Sequence, residues 1–175
     1  MKLFKNLFLI LTLTSVLVSC GNDDDAHVPT NSEKIIGNWE FSQFNVDGKS
    51  VTTVGSEDPI EATITSIGGT FTDAFTKFTH PSTTESSGSF VLVTTTTIGG
   101  QAVEKQEIIQ FNTSGSWKIE GDKLTIKNAG EDEVYDILEL SDTILKLKRT
   151  TEKTTTLGST VVVETLTSNL TFEKQ

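Results

Sequence analysis

At 175 residues, with 24 acidic against 14 basic side chains and a formal net charge of −10, the chain has the length of one domain and an acidic surface that disfavours nucleic acid as a partner. A single cysteine excludes a disulfide within the chain and dithiol redox chemistry, and two histidines leave no zinc or iron site of the usual His or Cys spacing. No cofactor is implied, and nothing in the chain reads as a catalytic motif.

The first residues read as an export signal. Lys2 and Lys5 precede an apolar run from Leu7 to Val18, which falls short of the roughly twenty residues needed to span a bilayer. The run ends in Leu17-Val18-Ser19-Cys20-Gly21, which resembles the lipobox of bacterial lipoproteins. That resemblance makes residues 1–19 a cleaved signal peptide and Cys20 the lipidated first residue, with the bilayer as partner through its acyl chains. Cleavage removes two lysines and no acid, leaving 24 acidic against 12 basic side chains and a net charge of −12. Asn22-Asp23-Asp24-Asp25 then resembles the acidic signal by which Bacteroidota export lipoproteins to the outer face of the outer membrane; a spacer at the periplasmic face is the alternative. Residues 20–34 are expected to form a polar tether.

From Ile35 the composition becomes that of an all-β domain spanning residues 35–175, rich in Thr, Val, Ile and Phe. Alternation and turn residues place a first strand from Gly37 to Val46, with Trp39 inward, a bulge between Phe41 and Phe44, and a turn at Asp47-Gly48. Residues 49–69 read as a loop with a short strand at 62–67, followed by a strand at 70–78 in which Phe71, Asp73 and Phe75 share a face. A loop at 79–87 leads to strands at 88–97, with Phe90 and Leu92 on one face, and 103–119, with Val103, Ile109, Phe111, Trp117 and Ile119 on one parity. Glu120-Gly121-Asp122 turns the chain into a strand at 123–127, the clearest hairpin. Strands follow at 133–140, with Leu138 and Leu140 inward; at 143–150, with Leu145, Leu147 and Arg149 inward; and at 160–173. Eight sequential antiparallel strands make an up-and-down meander that removes its edges by closing into a barrel; an open two-layer β-sandwich is the alternative.

Gly37-Asn38-Trp39, the tract from Ser114 to Ile126, the segment Ile137 to Leu147 and the end Leu170 to Lys174 together resemble the lipocalin-like domain of Bacteroidota lipoproteins, in the lipocalin superfamily. The resemblance implies a non-enzymatic barrel that carries a small hydrophobic or amphipathic ligand, with candidate lumen residues Phe41, Phe90, Phe111, Trp117, Leu138 and Leu147. It also implies a structural plug of Gly37, Trp39 and Arg149, in which the guanidinium lies within about 6 Å of the indole at the closed end. Two other functions compete. A lumen filled by side chains would make the protein an interaction module of an envelope complex, its partner read by loops 49–69 and 79–87. Convergence of Asp73, Glu85 and Glu107 would instead make an enzyme with a carboxylate pair.

Overall fold

The computed structural model describes residues 30–128 and 131–175; the expected signal peptide, Cys20 and the acidic run lie outside the described residues. A helical turn, α1 (Asn31–Lys34), precedes eight strands: β1 (Gly37–Val54), β2 (Ile60–Thr79), β3 (Thr83–Ile98), β4 (Gln101–Glu120), β5 (Lys123–Asn128), β6 (Glu131–Leu140), β7 (Ile144–Leu157) and β8 (Thr160–Lys174). Each strand pairs antiparallel with the next, and β1 also pairs with β8, so the sheet is a closed meander barrel rather than an open sandwich.

The chain departs from the expected boundaries at three places, each for a physical reason. β1 runs straight through Asp47-Gly48 to Val54. Gly48 serves a close approach there, since a Cβ on it would lie 2.4 Å from the carbonyl oxygen of Thr165 in β8. The turn comes later, at Gly55, whose φ of +56° suits glycine. The expected loops 49–69 and 79–87 are therefore mostly strand, reduced to turns at 55–59 and 80–82. Their Ser and Thr side chains hydrogen-bond across strands, as Ser66 with Thr94 and Thr76 with Ser86, both at 2.9 Å, so a composition that suits loops is spent on sheet pairing. Within the expected tether the described residues form a helical turn, α1. Glu33 accepts hydrogen bonds from the Thr30 amide and hydroxyl, which starts α1 and leads to the fully buried Ile35.

Bulges decide which side chains enter the barrel. The expected one in β1 is present, with the register against β2 slipping between Glu40 and Phe44. Two more occur in β2, around Thr70 and Asp73, which adopt φ of +49° and +48°. They turn Phe71 inward, leave Asp73 exposed and set Phe75 opposite the exposed Glu40, so the three do not share a face. In β6 the register against β7 slips between Ile137 and Glu139; Leu138 bulges outward at 59% exposure and is not a lumen residue.

The strands are unequal. β5 covers only Gly115 to Glu120 of β4, and β6 covers only Leu145 to Lys148 of β7. The barrel is closed around its lower part; above it, residues 101–114 of β4 and 149–157 of β7 each have, among the described residues, a neighbour on one side only.

Candidate functional site

The lower end is sealed by a core of Ile35, Trp39, Phe78, Trp117, Leu124, Leu145 and Phe172. Trp39 is fully buried and its indole N–H donates to the Ile35 carbonyl at 2.7 Å, which satisfies the one polar group that the burial of this ring strands. Above the ring lies Lys174, with Nζ 5.0 Å from the indole centroid and donating to the Lys34 carbonyl at 2.7 Å. The cation over Trp39 is thus the penultimate residue of the chain and not Arg149. Gly37 belongs to this seal because its φ is +141° and because a Cβ would lie 2.6 Å from Lys174 Cε.

Arg149 does take the expected inward parity, but at another level. Leu145 pairs with Phe172 in the seal, and four further residues of strand carry Arg149 roughly 13 Å up the barrel, where it pairs with Ser168. There Nη1 donates to Glu133 Oε1 at 2.5 Å, and the guanidinium lies 5.6 Å from the centroid of the Tyr135 ring. Burial works against the Arg149 charge, but the hydrogen bond and charge of Glu133 outweigh it and hold the guanidinium above its ordinary range. Burial first, and then the charge of Glu133, push the Tyr135 hydroxyl up to about 12, against the opposing influence of Arg149.

Between this polar trio and the seal is a cavity of about 350 Å³. The wall from β1, β7 and β8 is apolar, built from Phe41, Leu147, Leu170 and Phe172; the wall from β2 to β6 carries Thr76, Ser86, Thr113, Asn128, Glu133 and Tyr135 together with Phe78 and Ile126. Among the described residues Asn128 Oδ1, buried in that wall, has no hydrogen-bond partner, which leaves an acceptor whose lost solvation they do not compensate. A lumen wholly filled by side chains is therefore not what this sequence builds.

Six phenylalanines, from β1, β2, β3, β4 and β8, form a connected cluster beside and above the cavity. Phe41 is its centre, with ring centroids 4.3 Å from Phe172, 5.3 Å from Phe111 and 6.1 Å from Phe71. Phe90 joins Phe44, Phe71 and Phe111 at 5.3 to 6.2 Å. Of the expected lumen residues, Phe41 and Leu147 line the cavity, Phe90 and Phe111 belong to the cluster, and Trp117 lies lower, edge-on to Phe78 at 5.9 Å in the seal. The polar wall was missed in sequence because hydroxyls on an alternating strand carry no sign of which face they take. Inward Glu133 and Tyr135 were legible only through their cross-strand pairing with Ile126 and Leu124.

The expected carboxylates do not converge. Glu85 and Leu92 are seven residues apart on β3, roughly 23 Å, and Glu107 pairs opposite Leu92 while Glu85 pairs opposite Lys77. Glu107 is held by Lys105 at 2.6 Å, and Asp73 projects from the exposed bulge of β2. Among the described residues no group of three His, Cys, Asp or Glu side chains is placed to hold a metal ion.

A family model described as a lipocalin-like domain matches residues 35–147. No curated protein matches the chain. Among solved structures it is similar to an uncharacterized protein from Bacteroides eggerthii at 11% identity, with 81% of this chain and 99% of that chain covered and a TM-score of 0.34.

Proposed function

Because the chain belongs to the lipocalin-like domain family, we propose that it is a membrane-anchored lipoprotein whose barrel binds one small amphipathic molecule in the cavity above the Trp39 seal. The cavity carries this reading. Its volume of about 350 Å³ fits the lower range of small-molecule sites, and its two walls differ in chemistry. The phenyl and leucyl side would take an apolar body, and the buried acceptor Asn128 Oδ1 would take a hydroxyl or amide N–H of the polar end. The role is binding rather than catalysis, since Glu133, the carboxylate of this wall, is neutralised by Arg149. The motif around Cys20 supports the anchor, and Asp23-Asp24-Asp25 supports the outer face of the outer membrane as the address.

Native mass spectrometry of protein extracted from its own envelope tests the binding. A retained mass that disappears in Leu170→Trp, which fills the cavity, is the expected result; no retained mass, or retention unaffected by Leu170→Trp, overturns it. The anchor is tested separately by Cys20→Ser, which should leave the membrane fraction or remain unprocessed. Membrane association equal to the wild type would remove that part of the proposal and leave the cavity reading standing.

A further inference from the structure

The upper part of β4 is an open edge. Among the described residues it is hydrogen-bonded from Gln101 to Ser114 only to β3, because β5 begins to pair at Gly115. Such an edge presents a row of unpaired N–H and C=O groups to any strand that can meet it. It also carries exposed apolar side chains, Val103 at 69% and Ile108 at 70% exposure. We propose that this edge pairs with the same edge of a second copy of the chain, antiparallel about a two-fold axis at Gln106, to give a sheet continuous through both molecules.

The charges select the register. In an antiparallel pair, residues directly opposite lie on the same face, so a two-fold pairing is centred on one residue, and positions equally far on either side of it meet. Glu104 projects from the outer face of the barrel, whereas Lys105 and Glu107 share the inner face, where their side chains touch at 2.6 Å. Lys105 and Glu107 are thus the unlike charges of the free edge that can meet on one face, and they do so only when the centre is Gln106. Centres at Glu104, Lys105 or Glu107 set a like charge against itself. With Gln106 at the axis, Lys105 of each copy faces Glu107 of the other, Val103 faces Ile109 and Gln101 faces Phe111. The paired stretch from Gln101 to Phe111 ends before Gly115, so neither copy displaces β5.

The other open edge lacks this complementarity. On residues 149–157 of β7 the inward charges are Arg149 and Lys153, both basic, and the acid Glu152 lies on the opposite face. A two-fold pairing of β7 therefore brings no unlike charges together, and the axis at Thr151 opposes Arg149 to Lys153. The two edges of one barrel are distinguished as a self-recognising side and a self-avoiding side.

The test uses the full chain with Cys20→Ser, so that one introduced thiol is present. Gln106→Cys lies on the axis and should form a disulfide-linked dimer under mild oxidation, while Thr154→Cys on the β7 edge should stay monomeric. In wild-type protein, Lys105→Glu alone and Glu107→Lys alone should each weaken the dimer about tenfold or more, and an equimolar mixture of the two variants should recover it as a heterodimer. Both side chains are solvent-exposed, so circular dichroism is expected to report an unchanged fold. A monomer in sedimentation at about 100 µM with no Gln106→Cys cross-link, cross-linking through Thr154→Cys instead, or a dimer indifferent to both charge changes would each overturn the proposal. Capture of an unrelated protein by a chain that stays monomeric would do the same.

Discussion

Gly37→Ala probes the seal where the sequence motif and the geometry meet. Two costs follow from the structure. The backbone at φ +141° lies where L-residues are strained, at about 1–3 kcal/mol. The added methyl also falls 2.6 Å from Lys174 Cε and must push the lysine off Trp39 and off the Lys34 carbonyl, for about a further 1 kcal/mol at this partly exposed position. The total of about 2–4 kcal/mol corresponds to a fall in Tm of roughly 5–15 °C for a domain of this size. Urea unfolding followed by tryptophan fluorescence suits the measurement, because both tryptophans of the chain, Trp39 and Trp117, report from the seal. Repeating the substitution in a Lys174→Ala background separates the two costs: the steric part should vanish and the backbone part remain. If Gly37→Ala costs less than about 0.5 kcal/mol, or if its whole cost disappears with Lys174, then the positive φ is not what requires glycine here.

Two further outcomes test the interior. Tyr135 stays protonated in the fold up to about 12, whereas in the unfolded chain it ionises near its ordinary value of 10.0. Its contribution is thus complete below pH 10 and is lost as pH rises from 10 to 12. Wild-type stability should fall across that window by up to about 2–3 kcal/mol more than that of Tyr135→Phe, measured by denaturant titration at each pH, and parallel curves would refute the burial. Leu147→Ala, at a residue 2% exposed, should cost about 2–3 kcal/mol, and Leu138→Ala, at one 59% exposed, less than about 0.5 kcal/mol; equal costs would mean that the β6 bulge is misplaced.

The meander was legible because most of its turns carry glycine or aspartate between alternating apolar runs, as at Gly121, and because Trp39 and Trp117 fall inward by simple parity. What sequence did not carry were events that change parity without a residue to mark them. The bulges at Thr70, Asp73 and Leu138 each turn the following side chains to the other face, and no glycine or proline occupies those positions. Gly48 misled in the opposite sense, as a turn residue placed for a close strand contact. The site suffered most from this. Arg149 was assigned the right face and the wrong depth, because parity along a strand does not say how far up the barrel a residue lies, and the cation that covers Trp39 comes from the last strand.

The seal joins the two ends of the described chain, with Lys174 reaching Lys34 and the Gln175 amide donating to the Asn38 carbonyl at 2.9 Å. A ring closed by its first and last strands is not completed until β8 is in place. Until β8 is available, β1 has a partner on one side only and Trp39 lacks the Phe172 and Lys174 that cover it. Contacts of such long sequence separation form slowly, so the pairing of β1 with β8 is a late step in closing the barrel. For the exported lipoprotein proposed above, that order would leave the barrel open until β8 has crossed the membrane behind the other strands.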